Sequence, residues 1–209
     1  QKVEISLFKS LETDETYNKG MNGEMADVTF GIFASADITA ADGSIIPADG
    51  LIEIVAVSEG GSAQFTTDLP FGQYYVKEIS TNPAYMLNEN RYPVDFTYVG
   101  FETAKVSIMA NDAQPIENNL IRGSVKGLKI DTNGTPLESA VFSIFPAGTE
   151  DFTIECALAN SISNENGEFA FENIPYGEYV IYETQSPEVF VPSGTPYSVA
   201  ITENRQIIE

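Results

Sequence analysis

The sequence predicts an all-β fold repeated as two tandem domains, and three observations carry that expectation. Segments that read as strands alternate apolar and polar residues, as in Val3, Ile5 and Leu7 and again in Tyr179 and Ile181, which is the period of two of a half-buried sheet. Clusters of Gly, Pro, Asn and Asp separate these segments at fairly regular spacing. No stretch sustains the 3.6-residue period of a packed helix, and residues 83–87 have only a short helical leaning. The third observation is an internal repeat. Phe30-Gly31-Ile32-Phe33 returns as Phe142-Ser143-Ile144-Phe145. Further on, Leu69-Pro70-Phe71-Gly72 with Tyr74 and Glu78 returns as Ile174-Pro175-Tyr176-Gly177 with Tyr179 and Glu183. Elements that recur in the same order mean two copies of one domain.

The run Asn118-Asn119-Leu120-Ile121-Arg122-Gly123 separates the last strand of copy one from the first strand of copy two, giving domains 1–120 and 121–209. Each is close to the usual domain size of roughly 100 residues. A 43% hydrophobic fraction with 13 Phe and 10 Tyr supplies enough apolar surface for two packed cores.

Charge and missing residue types exclude whole classes of function. Acidic residues outnumber basic ones 31 to 10, a net charge of -21 that repels phosphate backbones and anionic headgroups. Nucleic acid and membrane surfaces are therefore not expected partners. With no histidine, the Ser-His-Asp and Cys-His arrangements and the commonest zinc sites cannot be assembled. Cys156 is the single cysteine, so no disulfide closes within the chain. No metal or cofactor is expected. There is no secretion signal, no apolar run long enough to span a membrane and no C-terminal sorting signal, and the expectation is that such features lie outside this stretch.

The chemistry sits on two strands of each copy. Lys9 ends the alternating row Val3, Ile5, Leu7, and Lys129 ends the row Val125, Gly127, so the period of two points both lysines at the core. A buried ammonium is costly and responds by giving up its proton. Glu78 shares a face with Tyr74 and Val76, and Glu183 with Tyr179 and Ile181, so both acids are expected inward. An apolar setting favours a protonated carboxyl, which can donate and then accept a proton.

The early-strand lysine, the Phe-x-Ile-Phe strand, the Gly-x-Tyr-x-x-x-Glu strand and a closing strand that ends in asparagine together resemble the Cna-B (SpaA-type, prealbumin-like) domains of Gram-positive pilins and surface adhesins. The resemblance covers nearly the whole chain. It implies two Ig-like β-sandwiches and an autocatalytic isopeptide bond, with Lys9 as nucleophile, Asn118 as the amide acceptor and Glu78 as proton shuttle. Asn119 is the rival acceptor, because a slip of one residue swaps the inward side chain. In copy two Lys129 and Glu183 match, but no asparagine stands at the expected place after Ile207-Ile208-Glu209. No Lys129 crosslink and an incompletely paired final strand are therefore expected.

The remaining motifs read as geometry. Asp131-Thr132-Asn133-Gly134 resembles the start of a calcium loop, but the later ligands do not follow, and Asn-Gly predicts a tight turn with positive φ angles. The resemblance implies a structural stalk, pilin or adhesin module outside the cell, attached to the cell wall, whose partners are other modules of the same surface protein or pilus. The alternative is a module whose loops bind host extracellular matrix or carbohydrate, with residues 34–62 as the loop candidate, although a surface-exposed hairpin explains that stretch equally well. An enzyme acting on external substrates is not expected, since the inward carboxylates lie in separate repeats.

Overall fold

The computed structural model describes residues 1–209 and divides them into two compact units. Unit 1 comprises Gln1–Asp14 and Gly20–Asn119; unit 2 comprises Glu15–Lys19 and Leu120–Glu209.

Unit 1 contains β1 (Lys2–Leu11), β2 (Thr29–Ala34), β3 (Ile38–Thr39), β4 (Ile45–Ile46), β5 (Leu51–Ala56), β6 (Ser62–Phe65), β7 (Gly72–Ser80), β8 (Tyr92–Phe96), β9 (Lys105–Met109) and β10 (Ile116–Asn118). One sheet runs β5-β2-β7-β8 with every pair antiparallel. Pro93 lies in β8, an edge strand, where its missing N–H interrupts no ladder. The other sheet is centred on β1, which pairs antiparallel with β6 on one side. On its other side β1 pairs in parallel, first with β9 from Lys2 to Ser6 and then with β10 from Lys9 to Leu11. Val3, Ile5 and Leu7 from β1 and Phe30, Ile32, Tyr74 and Val76 from the facing sheet share one core.

Unit 2 contains β11 (Arg122–Leu128), β12 (Val141–Pro146), β13 (Ala159–Ile162), β14 (Glu168–Pro175), β15 (Gly177–Gln185), β16 (Tyr197–Ile201) and β17 (Ile207–Ile208). Its sheets, β13-β12-β15-β16 and β14-β11-β17, repeat the order of unit 1. β17 runs parallel to β11 with Val125 opposite Ile208, as Ile5 lies opposite Ile108 in unit 1. Within these residues no strand of unit 2 corresponds to β10.

The recurring Pro-x-Gly-x-Tyr has a physical use. Tyr74 donates its hydroxyl to the Pro70 carbonyl (2.7 Å) and Tyr179 donates to the Pro175 carbonyl (2.8 Å). Each buried ring thus satisfies its polar tip within the turn that starts its own strand.

Residues 83–87, with their short helical leaning, form a turn that the Tyr85 N–H closes on the Asn82 carbonyl (3.0 Å). One local expectation is corrected. In the 131–134 turn only Gly134 has positive φ (84°). The turn is held by Asp131, whose carboxylate accepts from the Asn133 and Thr135 N–H groups, so an Asx turn replaces the paired positive φ angles of an Asn-Gly hairpin. The 34–62 stretch contains the β3–β4 hairpin, in line with the hairpin reading, together with all of β5.

Candidate functional site

Strand register brings Lys9, Glu78 and Asn118 together. Lys9 ends the inward row of β1, Glu78 sits on β7 opposite Phe30, and Asn118 ends β10 opposite Leu11. All three residues are buried, at 4%, 1% and 2% exposure. Asn119, the rival acceptor, is exposed.

Glu78 is the hub. Its Oε1 lies 3.3 Å from Lys9 Nζ and accepts from Asn118 Nδ2 at 2.9 Å. Its Oε2 accepts from the same Nδ2 at 2.9 Å and from the Asn88 N–H at 2.7 Å. Lys9 Nζ also donates to the Ile116 carbonyl of β10 at 2.9 Å. Asn118 Nδ2 further donates to Thr81 Oγ1 at 2.9 Å, whereas Asn118 Oδ1 is buried without a hydrogen-bond partner. Burial pulls the Lys9 ammonium below its ordinary range, against the opposing pull of Glu78 and Glu117. That is the direction in which a lysine becomes a nucleophile.

The frame around the lysine recurs in both units. Lys9 N–H donates to the Gly61 carbonyl (2.8 Å), and Lys129 N–H donates to the Gly167 carbonyl (2.7 Å). Both glycines have φ of 76°, and a Cβ would stand 2.5 Å from the Lys9 carbonyl oxygen at Gly61 and 2.3 Å from that of Lys129 at Gly167. Only glycine tolerates both the backbone angle and the close approach. Sequence reasoning missed these residues, although Gly61-Ser62-Ala63-Gln64-Phe65 and Gly167-Glu168-Phe169-Ala170-Phe171 share a Gly-x-x-x-Phe spacing. It also missed Asn88 and Thr81, whose loop path from β7 to β8 carries no strand period.

The equivalent place in unit 2 is an ion pair. Lys129 Nζ meets Glu183 Oε1 and Oε2, each at 2.8 Å. Oε1 also accepts from Ser186 Oγ (2.9 Å) and Oε2 from the Ser193 N–H (2.9 Å). Burial pushes the Glu183 carboxyl up, but Lys129, the Ser193 N–H and the Ser186 hydroxyl outweigh it and hold the group below its ordinary range. This corrects the expectation of a protonated acid there: an apolar wall raises a carboxyl only when no donors converge on it. A groove of about 540 Å³, lined by Gly127, Lys129, Phe169, Glu183, Ser193 and Ile208, opens beside the pair.

No group of His, Cys, Asp and Glu side chains is arranged to hold a metal ion, and no helix is long and apolar enough to cross a membrane.

A family model described as SpaA, a prealbumin-like fold domain, matches residues 11–111 and again 123–209. The chain belongs to this SpaA-type family. The SpaA assignment and the strand order agree on an all-β chain of two prealbumin-like domains. Among solved structures, the Bacillus anthracis TIE protein matches with a TM-score of 0.69 at 22% identity, covering 99% of this chain and 32% of that one. The C-terminal fragment of the pilus adhesin SpaC from Lactobacillus rhamnosus GG matches with a TM-score of 0.56 at 13% identity, covering 97% of this chain and 82% of that one. At these identities the likeness is one of fold. The SpaA-type chain spans about a third of the length of the B. anthracis protein. No curated protein matches at a significant level.

Proposed function

We propose that the chain is a structural module of a Gram-positive surface protein, a stalk, pilin or adhesin segment outside the cell and attached to its wall, and that unit 1 is closed by an isopeptide bond between Lys9 and Asn118. The buried meeting of an amine, a carboxyl and an amide in one hydrogen-bonded cluster carries this reading. Membership of the SpaA-type family, whose fold is shared by a pilus adhesin fragment, supports the surface role. Other modules of the same surface protein or pilus are its partners in this reading.

The cluster supports a balanced reaction. Lys9 Nζ, as the free amine, attacks Cγ of Asn118, and the Nζ–Cγ bond forms as the Cγ–Nδ2 bond breaks. Glu78 touches both nitrogens, so it can take the proton that the amine sheds and deliver it to Nδ2, which leaves as ammonia. No oxidant, metal or nucleotide is needed. Holding the groups in place in a dry core replaces a bimolecular encounter with an intramolecular one.

Intact-protein mass spectrometry tests the reading. The parent chain is expected to weigh about 17 Da less than its sequence, one ammonia, while Lys9→Ala and Glu78→Gln keep the full mass. A parent of unshifted mass removes the covalent mechanism. A loss of two ammonia molecules shows a second bond that the cluster in unit 1 does not account for.

A further inference from the structure

The two repeats carry a hydroxyl at the same place, three residues after the inward glutamate: Thr81 after Glu78 and Ser186 after Glu183. They use it differently. In unit 1 the hydroxyl oxygen of Thr81 accepts from Asn118 Nδ2 at 2.9 Å. In unit 2 Ser186 Oγ donates to Glu183 Oε1 at 2.9 Å. A hydroxyl is donor and acceptor at once and rotates to suit its neighbour, so one position holds an amide in the first unit and ties down the carboxylate in the second.

We propose that Thr81 is a positioning residue for crosslinking, which fixes the plane of the Asn118 amide so that its carbonyl carbon faces Lys9. The inference rests on the Lys9–Asn118 reading above. The last torsion of an asparagine side chain is broad, with no sharp staggered well to hold the amide plane. Hydrogen bonds must therefore hold it, and in Asn118 they all lie on the nitrogen, because Oδ1 has no partner. The two N–H groups of Nδ2 go to two anchors, the Glu78 carboxylate and Thr81 Oγ1. One anchor alone leaves the amide free to swing about it, whereas two anchors in different directions define its plane. Attack on an amide carbon needs an approach across that plane, and small losses of alignment are expensive in rate. Thr81 also stays beside the nitrogen while Glu78 exchanges protons with both reacting groups. The second anchor thus persists through the step in which the first one changes its protonation.

Refolding kinetics test the assignment. The full chain, collected unfolded in urea before any folding, is diluted into buffer, and the ammonia loss is followed by intact mass. Thr81→Val, which keeps the shape and removes the acceptor, is expected to slow the loss at least about tenfold. Thr81→Ser is expected to restore a rate within about threefold of the parent. In a Lys9→Ala background, where no bond forms, Thr81→Val is expected to leave the melting temperature of unit 1 within about 3 °C. A Thr81→Val chain that reacts at the parental rate overturns the proposal, as does a serine variant as slow as the valine one. A slow rate that comes with a matching loss of melting temperature in the Lys9→Ala background also overturns it and assigns Thr81 to the fold alone. A parent that never loses ammonia is a separate failure, because it sinks the crosslink reading and the role of Thr81 with it.

Discussion

Lys9 and Lys129 stand at the same place in two copies of one domain, yet their surroundings differ. The Lys9 side chain is fully buried and shares its carboxylate with an amide, and desolvation outweighs the opposing pull of Glu78 and Glu117. Lys129 takes both oxygens of Glu183 at 2.8 Å and keeps 13% of its side chain in solvent. The inward placement of both acids was legible in the period of two along β7 and β15. The ionisation of Glu183 was not, because Ser186 and Ser193 reach it from a loop whose path no strand pattern fixes. A depressed carboxyl pKa gives stability that is fully present above the unfolded value, about 4.3, and is lost as pH falls through the folded value. Protection of the β15 amides against hydrogen exchange in the full chain is therefore expected to fall as pH drops below about 4.3. In Glu183→Gln, which has no charge to lose, protection is expected to be lower at neutral pH and flatter across that window. An unchanged pH slope in the variant assigns the acid sensitivity to other carboxylates.

At the scale of elements, the two units solve one packing problem with opposite residues. Leu7 on β1 faces Ala63 on β6, while at the matching place Gly127 on β11 faces Phe169 on β14. A Cβ at Gly127 would stand 2.3 Å from the Phe169 ring, and that ring has little room to retreat because it stacks on Phe142 with centroids 3.8 Å apart. Gly127→Ala is expected to destabilise unit 2 by about 1–3 kcal/mol through overpacking. The double change Gly127→Leu with Phe169→Ala, which copies the Leu7 and Ala63 pair, is expected to cost less than the sum of its single changes, since the two sites share one volume. Denaturant unfolding of the full chain, read at the β11 amides, checks both, and strict additivity rejects the idea of volume exchange. This compensation shows what the sequence leaves hidden. The repeated Phe-x-Ile-Phe and Gly-x-Tyr-x-x-x-Glu strands keep their residue types and reveal the fold directly. At this position of the lysine-bearing strand the two copies share the combined volume of a cross-strand pair and not its residue types, which becomes visible only once register is known. The parallel lanes of β9 and β10 along β1 were hidden for the same reason, since parallel pairing joins strands distant in sequence and leaves no local turn signal.

At the scale of the whole molecule, the proposed bond changes how unit 1 carries load. β1 is the first strand of unit 1 and β10 the last, and they lie side by side in parallel with Lys9 opposite Ile116. In that geometry a pull on the two ends shears β1 against β10. Without the crosslink the sheet resists only through hydrogen bonds and core packing, and once β1 leaves, the segment from Ser10 to Glu117 is free to extend. With an amide bond from Lys9 to Asn118 the force passes through covalent chemistry at the point where the strands meet, and the segment between them is outside the load path. Unit 2 holds its equivalent lysine by an ion pair alone within these residues. Single-molecule stretching of the full chain from its ends is therefore expected to show one unfolding event, from unit 2. Lys9→Ala is expected to add a second event that releases on the order of 350 Å of chain, the extended length of the segment between Lys9 and Asn118. Two full-length events in the parent would mean that unit 1 carries no covalent bypass. One short event in both chains would mean that the resistance of unit 1 comes from its sheet and not from the bond.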